Sequence, residues 1–415
     1  MEMKQQPSQE IKRNIRPFAA FAILLLPFVY TFEGAAIGPA LNVLAQAFPD
    51  ASTMAIQYVM NLPFLTVIPV SIVTGRWLVN RFDKKTLVVF GLLLYAISGI
   101  LPGFVNNIEA ILLLRLLTGI GAGLVLPLPN MMISEVWGGQ ARERKMGLAS
   151  AVQSASSTAI SIIVGFVMVL GWRWVFYTFV LILIVAFIAL AGLPKFPRVS
   201  GQAPEQNAPR EKIRMPRKVW LYAGLMCGNW MFWSFAIMNL AFFGAKLNIG
   251  GGAMGLLVAL PGLFGILAAS FITEYRKLFK RFFPTVAMLV YALSFYLYST
   301  AENYFVLVIA SLACAFGGFS MQPYIFDLTA KACESDPRAA DAAFGIVTPG
   351  MMVGALLMPV VQAAYGNISG NTGIEFLWSS CAVFLVAFAI LLAFTNKDSG
   401  AVGTPPRRKE DRDEV

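Results

Sequence analysis

Twelve stretches of roughly 20 apolar residues run through this chain, each as long as a helix must be to cross about 30 Å of hydrocarbon. They lie near 18–41, 52–74, 86–104, 109–134, 147–170, 174–193, 219–242, 253–273, 283–299, 304–329, 342–365 and 374–395. Lipid offers no water to backbone N–H and C=O groups, so segments of this length must satisfy them internally, as helices. An apolar share of 58% and a mean hydropathy of +0.69 lie far above those of a soluble globular chain. The expectation is an all-α integral membrane protein with twelve transmembrane helices. The first stretch has no small-residue cleavage site after a short apolar core, so it reads as a retained span and not a signal peptide.

The net charge of +10 invites a nucleic-acid reading until the charges are placed along the chain. Of the 32 Lys and Arg residues, 29 fall in the two tails, in the loops after spans two, four, eight and ten, and in the segment after span six. Only Arg115, Arg173 and Lys246 lie elsewhere. Basic loops stay in the cytoplasm, so both termini and the central segment are expected there, in a multi-pass protein of the cell's inner (plasma) membrane. The expected organisation is a tail over 1–16, a six-helix bundle over 17–193, a linker over 194–218, a second bundle over 219–396 and a disordered tail over 397–415. The linker is rich in Pro, Gln and charge and cannot bury a core.

The halves repeat. RLLTGIGAGLVLPLPNMMI, which begins at Arg115, returns about 196 residues later as SLACAFGGFSMQPYIF, putting Gly121 on Gly317 and Pro127 on Pro323. The same offset carries Arg81–Lys85 onto Lys277–Arg281. Aligning Ala36-Ile37 with Ala236-Ile237 puts Phe32 on Phe232 and Glu33 on Trp233. A half-length repeat in a membrane chain marks a transporter in which each bundle supplies one wall of the path. Pro27, Gly34, Gly38 and Pro39 interrupt span one, Pro63 and Pro69 span two, and Pro349, Gly350 and Pro359 span eleven. Such breaks mark either a lined cavity or plain structural kinks.

Four pieces of this sequence resemble the major facilitator superfamily. They are the loop GRWLVNRFDKK (Gly75 to Lys85), the arginine and glycine row of RLLTGIGAGLVLP, GWRWVF (Gly171 to Phe176) at the entry to span six, and the half-length repeat. The resemblance covers essentially the whole chain and is nearest to bacterial proton-coupled drug-efflux-like members. It implies two pseudo-symmetric six-helix bundles, alternating access and a central cavity. The loop departs from the family's pattern at Asn80, where an acid is usual, at Asp83, where a glycine is usual, and by one extra residue after Gly75. Span five, SAVQSASSTAISIIVG, lacks the glycine–proline core of the family's antiporters.

Glu33 is the only acid well inside a span, and an intramembrane carboxylate is costly enough to be a functional candidate. At 1.5 Å per residue, Glu33 lies about 12 Å and Arg115 about 9 Å from the outer ends of their spans. A pairing at similar depth would either couple proton uptake to a change of state or form a static ion pair. The glycines 119, 121 and 123 read as packing residues, because bare backbone lets helices approach. Arg81, Lys84 and Lys85 are expected to face Glu135, and Lys277, Lys280 and Arg281 to have Asp327 in the matching place; with Asp83 these are candidate gating charges, or else fix topology alone. Candidate substrate contacts are Tyr30, Phe32, Gln57, Asn61, Asn229, Trp233, Gln322 and Tyr324, a set suited to amphipathic molecules.

With no His, no metal-ligand cysteine spacing among Cys227, Cys314, Cys333 and Cys381, and no phosphate loop, neither an enzyme nor an ATP-driven pump is expected. No cofactor is expected. The expected partners are a small-molecule substrate, protons and the lipid bilayer, with the chain acting as a monomer and binding no nucleic acid. The leading expectation is proton-coupled export of amphipathic organic compounds. The alternatives are proton-coupled uptake of a small organic anion or nutrient through Arg115, and a membrane receptor or scaffold without transport.

Overall fold

The computed structural model describes residues 16–196, 215–270, 275, 278–279, 282–333 and 343–395. The expected tails, most of the linker, Lys277, Lys280 and Arg281 lie outside the described residues. Every regular element among the described residues is a helix. In chain order, α1 comprises Pro17–Val29 and Phe32–Ala47, bent by 56°. Then come α2 (Thr53–Arg81), α3 (Lys84–Phe104), α4 (Ile108–Val136), α5 (Gly139–Val167) and α6 (Trp172–Gly192). The second half holds α7 (Arg217–Lys246), α8 (Gly251–Ser270), α9 (Phe283–Ser299), α10 (Tyr304–Ala332), α11 (Ala343–Ser369) and α12 (Ile374–Thr395). Eight of these are long and apolar enough to span by themselves; the bent α1 and the shorter apolar parts of α8, α9 and α12 match the remaining four expected stretches.

The halves are built alike. In the first, α2 and α3 pack on α4, α3 on α6, and α1 on α5; in the second, α8 and α9 pack on α10, α9 on α12, and α7 on α11. Adding six to each label of the first set gives the second. The glycine row of α4 explains how its helices come so close. A Cβ on Gly119 would lie 2.2 Å from the Pro63 carbonyl oxygen, and one on Gly121 would lie 2.5 Å from the Tyr95 nitrogen. Its repeat mate Gly317 is equally tight, with a Cβ there 2.5 Å from Tyr291 Cβ. These glycines are packing positions, filled by neighbouring helices.

Proline explains the interruptions. The ring of Pro39 cannot donate to the carbonyl of Ala35 one turn back, and the Ser161 hydroxyl of α5 donates to that carbonyl instead, at 3.3 Å. Short 3₁₀ segments at Leu26–Thr31 and Gly38–Ala40 take up the rest of the distortion in α1. Pro359 in α11 likewise frees the carbonyl of Ala355, whose new donor comes from the other bundle.

The bundles meet along two seams, α5 against α8 and α2 against α11, and α1 also touches α7 and α8. Both seams are tight at the end opposite the basic loops. On the first, a Cβ on Gly165 would lie 2.7 Å from Gly251 O, and one on Gly255 would lie 2.5 Å from Ser161 O. Toward the basic end the same region is looser: Gln153 and Ser154 of α5, Gln322 and Tyr324 of α10, and Met351 and Met352 of α11 are only half-buried.

Candidate functional site

Inside the first bundle, Arg115 of α4 donates through Nη1 to Glu33 Oε2 of α1 at 2.8 Å. Its Nη2 donates to Thr118 Oγ1 at 3.1 Å, and that hydroxyl in turn donates to Leu114 O at 2.8 Å. The guanidinium lies over the rings of Phe179 and Phe176, 4.9 and 5.6 Å from their centroids. Arg115 is 0% exposed and Glu33 7%. In a medium this apolar neither charge is tolerable alone, so each holds the other in place. Three polar atoms around the pair are buried without a hydrogen-bond partner: Glu33 Oε1, Arg115 Nε and Tyr95 Oη. The pair is enclosed by α3, α4 and α6, whereas the family resemblance implied residues lining an open cavity.

Phe32, expected at the substrate, is part of that enclosure. Its ring meets Phe179 edge-on at 4.8 Å and Tyr95 at 6.5 Å, with 1% exposure. Side chains leave a helix about 100° apart per residue, and the register of α1 turns Phe32 into the bundle. For Tyr30 the backbone lies in the first 3₁₀ segment, and its side chain is outside the described residues.

Gln57 and Asn61 are also not free to meet a ligand. Gln57 Nε2 donates to Gln362 Oε1 at 2.9 Å, and Gln362 exchanges hydrogen bonds with Asn239 at 3.1 and 3.2 Å. Asn61 Nδ2 donates to the proline-freed carbonyl of Ala355 at 2.6 Å and approaches Met238 Sδ at 3.2 Å. Every inter-bundle hydrogen bond between two described residues comes from Gln57 or Asn61. These amides form a clamp between the bundles, and they close the end opposite the basic loops.

The second bundle supplies the remaining expected contacts. Asn229 Nδ2 donates to Gly318 O at 3.1 Å, and Asn229 Oδ1 is buried without a partner. Trp233, half-buried, meets Phe319 at 4.8 Å. Gln322 and Tyr324 are half-buried on α10, with the Tyr324 ring 5.9 Å from Phe283. Trp233, Gln322 and Tyr324 thus lie half-buried toward the looser region, and Asn229 is buried.

Of the three basic residues expected to face Glu135, Lys84 pairs with it, while Arg81 is exposed. Asp83 is the reason: it caps α3, its carboxylate accepting from Lys85 N at 3.1 Å, so the helix starts at Lys84 and turns that side chain toward the end of α4. The same carboxylate accepts from Phe196 N at 3.1 Å and so ties down the start of the linker. Both contacts lie within the first bundle and bridge nothing across the seam. In the second, Asp327 pairs with Lys331 one turn on, at 2.9 Å. Tyr95, Asn239 and Gln362 escaped the sequence reading; Tyr95 carried one signal, standing 196 residues before Tyr291 at the offset of the glycine row.

A family model described as the Major Facilitator Superfamily matches residues 23–340. The chain belongs to the major facilitator superfamily. It is 21% identical over 389 residues to multidrug resistance protein 1 of Bacillus subtilis (strain 168), covering 90% of this chain and 95% of that protein. Its match to the multidrug transporter protein MdtP of the same organism is 25% identical over 186 residues, 44% of this chain and 34% of that protein's length. To the quinolone resistance protein NorA of Staphylococcus aureus (strain MRSA252) it is 24% identical over 252 residues, 60% of this chain and 65% of that protein. A crystal structure of the POT family transporter PepTSo superposes with a TM-score of 0.71 at 12% identity, covering 92% of this chain and 98% of that one. This superfamily member is thus a multi-pass membrane transporter and not an enzyme.

Proposed function

We propose that the protein exports amphipathic organic compounds in exchange for protons, with Glu33 as the carboxylate that takes up and releases the proton. The observation that carries this reading is the Arg115–Glu33 ion pair at 2.8 Å inside the first bundle. Protonating Glu33 removes the counter-charge of a fully buried guanidinium, so the surrounding helices must rearrange or admit water. That gives the proton differential affinity for two conformations, which is what alternating access needs. Asn229, Trp233, Gln322 and Tyr324 are the proposed substrate contacts, and they carry no formal charge. The names of the relatives favour the same class of cargo: two are multidrug proteins and one a quinolone resistance protein. The uptake alternative asks Arg115 to meet an anion, but its guanidinium is engaged by Glu33, Thr118 and two rings.

On this reading the basic end is cytoplasmic, and the amide clamp with the α5–α8 glycines is the closed outer gate of an inward-facing state. Proteoliposomes with an imposed proton gradient and a fluorescent quinolone test it. The unaltered protein should accumulate the quinolone against its gradient. Glu33→Gln, which mimics the protonated carboxyl, should exchange quinolone down its gradient without accumulating it. Undiminished accumulation by Glu33→Gln would remove Glu33 from the coupling step.

A further inference from the structure

Tyr95 and Tyr291 occupy the same place in the two bundles. Each backbone is pressed by the repeat glycine of the neighbouring helix, Gly121 or Gly317. Each ring meets the equivalent phenylalanine edge-on, Tyr95 with Phe32 at 6.5 Å and 79°, Tyr291 with Phe232 at 6.4 Å and 74°. Both are 0% exposed. Their hydroxyls differ. Tyr291 Oη donates to the main-chain oxygen of Asn229 at 3.4 Å. Tyr95 Oη has no aligned partner, and the group it faces is the Glu33 carboxylate, whose Oε1 is itself unpartnered. Two complementary buried atoms side by side, a donor and an acceptor, need only a small movement to pair.

We infer that Tyr95 is a positioning residue for the proton-coupling carboxylate: its hydroxyl donates to Glu33 Oε1 and holds that oxygen while Arg115 comes and goes at Oε2. The inference rests on the proposed role of Glu33. A hydronium ion delivers its proton to Oε2 and leaves as water, the new O–H bond replaces the Arg115 contact, and Oε1 becomes the carbonyl oxygen still held by Tyr95. Among the described groups packed around Glu33 from α3, α4, α5 and α6, the titratable or charged ones are Tyr95 and Arg115; Ser161, Thr118, Phe176 and Phe179 are neither. A static pair would need no third member, and Tyr95 would then be exchangeable for Phe.

Infrared difference spectroscopy of the full chain in liposomes, recorded through an acid titration, reads the contact directly. Glu33→Gln identifies the Glu33 carboxylic C=O band by abolishing it. Tyr95→Phe keeps the ring and its packing while deleting one oxygen. It should move that band to higher frequency and lower gradient-driven quinolone transport roughly two- to tenfold, the worth of one hydrogen bond. Tyr291→Phe removes the matching oxygen of the other bundle and should leave the Glu33 band where it was. A Glu33 band unmoved by Tyr95→Phe, or moved equally by Tyr291→Phe, overturns the inference. Intact coupling in Glu33→Gln together with a band shift in Tyr95→Phe would instead sustain the contact and sink the coupling role it serves.

Discussion

The two bundles share a frame and differ in what they bury. In both, a glycine of the fourth helix presses on a tyrosine of the third, and that tyrosine meets a phenylalanine of the first. The first bundle adds a charged pair to this frame, Glu33 with Arg115. The second places Trp233 where Glu33 would stand and Ser311 where Arg115 would stand. There the Ser311 hydroxyl accepts from Tyr298 Oη at 3.0 Å, a neutral contact. On the proposed function, the shared frame supplies the scaffold, and divergence at two positions lets one half respond to a proton and leaves the other a neutral wall. This division of labour is the core of the proposed mechanism.

The sharpest way to break the comparison is to neutralise each half in turn. Arg115→Gln strands Glu33 in an apolar core and should destabilise the protein by about 3–5 kcal/mol. Ser311→Ala deletes one neutral hydrogen bond and should cost about 1 kcal/mol. Thermal unfolding in detergent measures both, and equal losses would deny the asymmetry.

The seams offer a test in which the bundles act together. Gly165→Val puts a side chain where a Cβ already lies 2.7 Å from the Gly251 carbonyl and 2.8 Å from Gly255 Cα. The backbones cannot yield, so the tight end should open and populations move toward the opposite state. Cysteine labelling near residues 168–170 should speed up strongly; unchanged labelling would mean the seam does not gate. Asn61→Leu acts on the second seam with a smaller effect. It leaves the carbonyl of Ala355 without a donor, worth about 1–3 kcal/mol, and should bias the same equilibrium about tenfold. Labelling that does not change would reduce the amide clamp to ordinary packing.

Much of this was legible before any coordinates. Chain-long apolar stretches and the half-length offset sufficed for the architecture, since lipid leaves the backbone few options. Glu33 and Arg115 stood out because charges are rare at that depth, and similar distances from their span ends made the pairing foreseeable. Their enclosure was not, because facing is decided by how the interrupted α1 turns at its 3₁₀ segments. That Gln57 and Asn61 bond across the bundles was not legible, since their partners lie 305 and 294 residues away. One of those partners is an acceptor only because Pro359 removed its usual donor. Of Arg81, Lys84 and Lys85, it is Lys84 that meets Glu135, because a single cap at Asp83 fixed where α3 begins. Sequence showed which groups were unusual, and the packing of distant helices determined what each of them meets.

Proton release is the most direct measure of the claim that the first bundle alone responds to protons. The purified protein in weakly buffered detergent is mixed with a quinolone that it transports, and the released protons are counted with a pH dye. Release of about one proton per protein is expected for a single exchangeable carboxylate, with none from Glu33→Gln and the full amount from Ser311→Ala. Equal release from the unaltered protein and Glu33→Gln would place the titrating group elsewhere and contradict the account.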